Sequence, residues 1–405
     1  MSEGNTTRNI IALFVARSLA AVGSVATVVI ISRAGGYSFL GNYVLLTATL
    51  SILVMIANFG MDIFVTRLVA QNSESFDRSR LSIALWLQMI VAITLIGIVF
   101  LVVISFKVSH SQPWIFYSFT LIPATVSATS SAVLKGKQKM GYLAIIQLVE
   151  MIVQISGVYL LLHLGLYAVI LVILAAKCIG SILHLFFLNR EGIYLQIFFF
   201  SGKQGLLKTT MKEGWVLSLS VLFNTISTRG IVVMLGMLVG TYELGLFGAS
   251  NKVVEVLKMI PAAIYGSLFP VMVDRRFGYK SVKRQTIQIA IITIVLVILF
   301  YLIVPKISLL LFDDFEVISY LQILLIGMIP FSVRQYLSFQ MFAQNKDRQL
   351  ITVNGFTTLL MISLCFFGWM YFGLEGFCWA INIVWMLECV VLWWRIQSFF
   401  SRLLK

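Results

Sequence analysis

The stretch "IIALFVARSLAAVGSVATVVIIS", residues 10–32, carries a single charge, Arg17. At a helical rise of about 1.5 Å per residue it reaches about 35 Å, enough to cross a hydrocarbon core of about 30 Å. The apolar core of a secretory signal is shorter, about 7–15 residues, and no small-residue cleavage pattern follows this run. Many more runs like it come after. The stretch therefore reads as a retained first membrane helix, with a guanidinium about two turns inside it.

The whole chain agrees. Of its 405 residues 60% are hydrophobic and only 11% charged, and the mean hydropathy is +0.98. Soluble domains are about 45–50% apolar and 25% charged, so water is the wrong solvent for this composition. Only helices or closed barrels satisfy their backbone in lipid, and these runs far exceed barrel strands of about 9–11 residues. The expected fold is an all-α polytopic membrane protein. Cys178, Cys365, Cys378 and Cys389 all fall in apolar spans without metal-ligand spacing and read as small buried hydrophobes. No metal and no cofactor is expected.

Twelve spans are expected, near 10–33, 38–63, 81–105, 114–134, 142–162, 165–188, 213–238, 243–272, 286–305, 319–343, 350–371 and 375–395. With cytoplasmic termini, the inner segments hold 21 lysines and arginines, and the outer ones only Arg33, Lys107 and Lys306. That asymmetry sets both count and orientation. It also explains most of the +14 net charge without nucleic acid as a partner.

A repeat lies at an offset of 204 residues: "GYSFLGNYVLLTATLSILVM" from Gly36 and "GTYELGLFGASNKVVEVLKM" from Gly240. Gly36/Gly240, Leu40/Leu244, Gly41/Gly245 and Met55/Met259 coincide, and Tyr43 stands opposite Phe247. Each copy joins the first span of a half to the second. Six spans per half is an even number, so the two lobes form a parallel repeat with a central site expected between them. The lobes are placed at 1–188 and 213–405, joined by a cytoplasmic linker at 189–212. The linker mixes aromatic and basic residues, which suits a segment lying along the inner leaflet or a plain flexible tether.

Six cations lie within spans: Arg17, Lys177, Arg229, Lys252, Lys258 and Arg334. Facing them are Glu150, Glu255 and Glu388, with Asp62 near the inner end of span 2. A charge at the centre of a membrane helix costs roughly 2.5–3.5 kcal/mol on insertion scales, so each is expected to face protein or water. Glu255 stands three residues from both Lys252 and Lys258 and is expected to neutralise them. Six cations outnumber four anions, so pairing is incomplete. Arg17, Arg229, Lys252 and Lys258 sit on spans 1, 7 and 8, and their surplus charge is expected to line a cavity that recruits an anion. Arginine suits phosphate because its planar fork binds two oxygens. Arg17, Arg229, Lys252, Lys258 and Arg334 are thus the candidate pyrophosphate ligands. Glu150, Lys177, Glu255, Glu388 and Asp62 are candidate coupling groups or counter-ions.

The run from Arg17 to Ala70, with its Gly-x-Tyr tail and its "NFGMD" to "TRLVA" exit from span 2, resembles the start of the polysaccharide flippases of the O-antigen transporter type. "GWVLSLSVLFNTISTRGIVVMLGMLVGTYELGLFGASNKVVEVLKMIPAAIYGSLFPVM" is similar to the start of that family's second half, and "LFDDFEVISYLQILLIGMIPF" and "FAQNKDRQ" continue the likeness. The resemblance implies the multidrug/oligosaccharidyl-lipid/polysaccharide transporter fold, two six-helix lobes about an alternating-access cavity. It implies a substrate too: a polyprenyl-pyrophosphate-linked oligosaccharide, such as an O-antigen or other surface polysaccharide unit, carried across a bacterial cytoplasmic (inner) membrane. A monomer amid membrane lipids is expected, with a polysaccharide polymerase and chain-length machinery as partners. Members often carry an acid just after the arginine of span 7, where this chain has Gly230.

Two other readings fit less well. A drug or metabolite exporter of the same superfamily would need acidic residues in its first spans, and span 1 has only Arg17. A membrane polymerase or ligase would need a large outer loop bearing acid–base groups. The outer segments are short, and Asp313, Asp314 and Glu316 read as a solvated loop. No nucleotide-binding glycine loop appears, so the chain is read as a transporter that does not bind ATP, and not as an enzyme.

Overall fold

A computed structural model describes residues 3–71, 77–105, 112–194, 210–211, 219, 221–261, 279–312, 314–344 and 346–403. For residues 3–14, 17, 112, 279, 280, 342, 347 and 399–403 only the backbone is described. Helix dominates throughout. Eight helices are long and apolar enough to cross a membrane among the described residues. Two of these are too long for one crossing. Ser18–Asn58 has 41 residues and Arg348–Ser398 has 51, about 62 Å and 77 Å of helix against a core of about 30 Å. Each breaks at a glycine with positive φ: Gly36 (φ 77°) in α1 (Glu3–Asn58) and Gly373 (φ 60°) in α13 (Asp347–Leu403). A side chain at either position would strain the left-handed backbone. Both breaks fall within the gaps expected between spans.

The chain forms two compact units, 1–35 with 45–225, and 36–44 with 226–405. In the first, α2 (Met61–Gln71), α3 (Arg78–Ser105), α4 (Gln112–Ser118), α5 (Leu121–Gly136), α6 (Met140–Leu161) and α7 (Leu166–Arg190) follow the first helix. Their core joins Met61, Phe64, Val65, Leu81, Leu134, Ile146 and Phe187. Gly136 lets α5 approach α2 closely, since a Cβ there would lie 2.7 Å from Val69 Cβ. At the end of α7, Glu191 pairs with Lys139 at 2.8 Å. That hydrogen bond raises the ammonium's pKa above its usual value. Most of the expected linker, including 195–209, lies outside the described residues.

The second unit contains a π turn (Ile226–Gly230), α8 (Ile231–Leu238), α9 (Thr241–Leu257), α10 (Tyr279–Phe312), α11 (Glu316–Ile326), α12 (Met328–Ala343) and α13. Its core gathers Val282, Ile289, Tyr336, Leu337, Met341, Leu350 and Leu392. Outward faces carry large apolar side chains, Leu302, Leu310 and Phe372 among them, as lipid-facing surface requires.

Segment 36–44 belongs to this unit, and the reason lies in the repeat. A Cβ on Gly41 would stand 1.8 Å from the Thr241 carbonyl oxygen, and one on Gly245 2.0 Å from that of Tyr37. Thr241 is Tyr37 displaced by the repeat offset, so the two copies cross each other by equivalent contacts. Leu40 and Leu244 are both buried beside the crossing. Tyr37 stacks edge-on against Tyr242 at 5.7 Å and donates to the Phe312 carbonyl at 3.3 Å. Alanine at Gly41 must push backbone apart, an overpacking cost of about 1–3 kcal/mol. We expect Gly41→Ala and Gly245→Ala each to lower the unfolding temperature of the purified protein, measured by thermal scanning. Unchanged melting of both would remove the crossing as a structural constraint.

Candidate functional site

The expected intramembrane charges separate into distinct groups. In the first unit, Lys177 Nζ donates to Glu150 Oε2 at 2.7 Å between α7 and α6. Gly180 makes room for this pair, because a Cβ there would lie 1.7 Å from Glu150 Oε1. Ser181 bridges to the Pro123 carbonyl at 2.6 Å, and His184 Nδ1 lies 2.8 Å from the Gly180 carbonyl. Both groups satisfy backbone oxygens beside the ion pair. Asp62 sits in the first turn of α2, where the helix dipole favours a negative charge. Among the described residues no side-chain contact joins it to Glu150, Glu255 or Glu388. The Arg17 side chain lies outside the described residues.

In the second unit, Arg334 Nη1 donates to both oxygens of Glu388, at 2.9 and 3.1 Å. The two side chains are only 6% and 3% exposed, so this pair is enclosed by protein. The sequence placed Arg334 with the phosphate ligands, yet α12 carries it into the packing with α13, off the cavity wall. Glu388 reaches it from across the helix pair and matches its charge. Sequence spacing could not have paired residues 54 positions apart.

A third group is different. The backbone widens into a π turn at "ISTRG", Ile226–Gly230, a distortion that recurs at functional sites. Ser227 and Thr358 share a hydroxyl hydrogen bond of 2.6 Å that ties the turn to α13. Arg229, on this turn, donates from Nη1 to Glu255 Oε1 at 2.8 Å. Lys252 holds the other oxygen, Oε2, at 3.1 Å, and Asn251 Nδ2 approaches Oε1 at 3.5 Å. Glu255 thus supplies from α9 the carboxylate that Gly230 does not supply next to the arginine.

Lys258 departs from expectation. Glu255 was expected to neutralise it, and the two charges do attract, but the close ion pairs of Glu255 are with Arg229 and Lys252. Lys258 Nζ instead lies 4.6 Å from the Phe331 ring centre and 4.4 Å from that of Trp385. At that range the ring faces attract a cation. The backbone stays helical through Lys258, so the cause is competition: both oxygens of Glu255 are already held, and two aromatic rings take the ammonium.

These groups enclose a cavity of about 340 Å³ lined by Thr228, Arg229, Asn251, Glu255, Lys258, Phe331 and Trp385, among others. All its walls come from the second unit. Arg229 and Glu255 keep 36% and 26% of their side-chain surface exposed, in contrast to the closed Arg334–Glu388 pair. Two lining cations, Arg229 and Lys258, against one carboxylate leave the cavity wall positive, with hydrogen-bond donors and two aromatic faces in reach. An anion with an attached polar ring fits that chemistry. Phe331, Trp385, Asn251 and Thr228 gave no signal in the sequence, being ordinary residues brought together only by tertiary packing.

Over nearly its whole length the chain has the fold seen in solved MOP superfamily transporters. The structure is similar to that of the lipid II flippase MurJ in an inward closed conformation, with a TM-score of 0.75 and 13% identity over 96% of this chain and 87% of that one. It is similar to an outward-facing multidrug resistance MATE family transporter, with a TM-score of 0.69 and 16% identity over 98% and 96%. A MOP superfamily transporter from Pyrococcus furiosus, described as having a binding pocket of reverse polarity, gives 0.67 and 16% over 99% and 96%. No curated protein matches the sequence. The model of the polysaccharide biosynthesis protein family matches residues 6–275, and the chain belongs to that family.

Proposed function

We propose that the protein is a flippase for a polyprenyl-pyrophosphate-linked oligosaccharide, moving it from the inner to the outer leaflet of a bacterial cytoplasmic membrane by alternating access. The observation that carries this reading is the open cavity lined by Arg229 and Lys258, with Lys252 behind Glu255, in a membrane-embedded unit. Family membership supports the oligosaccharide, and the lipid II substrate of the similar flippase supports a lipid-linked one. In this reading the pyrophosphate meets the cations, the sugars take the polar and aromatic walls, and the prenyl chain stays in lipid. An inside-negative potential drives the anion outward by about 2.3 kcal/mol per charge per 100 mV.

The reading includes twelve crossings with both termini cytoplasmic. A cysteine introduced at Thr241 should react with an impermeant thiol reagent from outside, whereas one at Lys137 should not. The reverse pattern would overturn the topology. For function, the purified protein is placed in vesicles with a fluorescent polyprenyl-pyrophosphate oligosaccharide, and exposure of the label to an external quencher is followed. Transfer between leaflets faster than in protein-free vesicles is expected. Transfer no faster than in those vesicles would sink the reading.

A further inference from the structure

Glu255 occupies the position that an incoming anion would need. Its two oxygens are divided between Arg229 at 2.8 Å and Lys252 at 3.1 Å, so the carboxylate uses both cations. Three residues further along the same chain, Lys258 faces the cavity with its ammonium against two aromatic rings and no carboxylate within 4 Å among the described residues. The cavity wall therefore carries one anion, Glu255, one cation that holds it, Arg229, and one that does not, Lys258, while Lys252 braces the anion's other oxygen from behind the wall.

We propose that Glu255 is a resident stand-in for the substrate's phosphate, displaced onto Lys258 when the pyrophosphate binds Arg229 and Lys252. The inference rests on the flippase reading and adds to it a specific exchange of partners. Without displacement, a phosphate and a carboxylate would share the same two cations, and like charges at that range repel. With displacement, every charge stays paired: phosphate with Arg229 and Lys252, Glu255 with Lys258. The aromatic faces hold Lys258 in place meanwhile at modest strength, so they yield when a full negative charge arrives. Departure of the phosphate returns Glu255 to Arg229, which favours release over retention. The arrangement trades affinity for turnover.

The test is titration of the purified full-length protein with inorganic pyrophosphate, read by calorimetry, in wild type, Glu255→Gln, Lys258→Met and the double variant. Glu255→Gln removes the competitor and should bind pyrophosphate at least about ten-fold tighter, while flipping in vesicles slows. Lys258→Met should weaken binding in the wild-type background and leave it unchanged in the Glu255→Gln background, because Lys258 acts through Glu255. Equal weakening in both backgrounds makes Lys258 a direct ligand and overturns the exchange. So does Glu255→Gln binding no tighter than wild type. If Glu255→Gln does not fold, Glu255→Asp serves: too short to reach both cations, it should tighten binding by a smaller factor, and unchanged or weaker binding overturns the exchange. Pyrophosphate binding to neither wild type nor any variant overturns the exchange and the anion site together. Binding with the predicted pattern in a protein that fails to flip lipid removes the flippase reading alone.

Discussion

Glu388→Gln should sharply deplete the folded protein, because it leaves the Arg334 guanidinium enclosed and without its anion. Breaking a buried ion pair from one side costs about 3–5 kcal/mol, whereas replacing both partners by apolar groups is often neutral or stabilising. Arg334 Nε has no hydrogen-bond partner among the described residues, so Glu388 is the acceptor this guanidinium depends on there. The expected result is a low immunoblot signal in membranes and early thermal unfolding for Glu388→Gln. Arg334→Met combined with Glu388→Leu should restore both. The restored variant should also transport, since neither residue lines the cavity. Normal abundance and melting of Glu388→Gln would mean that the pair contributes little to folding. Transport lost in a stable double variant would return Arg334 to the functional set.

What could be read from the sequence, and what could not, follows the range of each interaction. Membrane helices announce themselves locally, because lipid exacts apolar side chains along the whole of each run. The repeat was legible because Gly41 and Gly245 have no substitute where two backbones touch. The membership of segment 36–44 in the second unit was not, since it arises from that contact and not from position in the chain. Lys252 and Glu255 were paired correctly from their spacing. Lys258, at the same spacing on the other side, makes no direct ion pair with Glu255, because Arg229 and Lys252 already hold both carboxylate oxygens and two aromatic rings hold the ammonium. The partners of Lys177 and Arg334 lie 27 and 54 positions away, beyond any periodic rule. The cations were visible as anomalies in apolar runs. Which of them are closed pairs and which are open to a cavity is tertiary information.

Loss of charge at Arg229 or at Arg17 should abolish transport while the protein still accumulates. Under the proposed topology Arg17 lies about 10 Å into the membrane along its helix, and Arg229 about 24 Å along its own, at 1.5 Å per residue. In the proposed function the shallower group would meet a headgroup entering from the inner leaflet, and the deeper one would receive it further on. An anion that reaches a low-dielectric wall without a partner pays several kcal/mol. A loss of 2.7 kcal/mol at the barrier already slows passage about a hundredfold, and each alanine variant is expected to lose at least that. Folding should survive at Arg229, because Lys252 still holds Glu255 at 3.1 Å. Lysine at either position keeps the charge but not the two-pronged geometry, so Arg17→Lys and Arg229→Lys should recover transport only in part. The measurement is complementation of a flippase-deficient strain, with the abundance of each variant checked by immunoblot. Normal surface polysaccharide from well-expressed Arg17→Ala and Arg229→Ala would sink the two-step path. Arg17 would then be a charge that reaches back to the interface, and Arg229 a tether for Glu255.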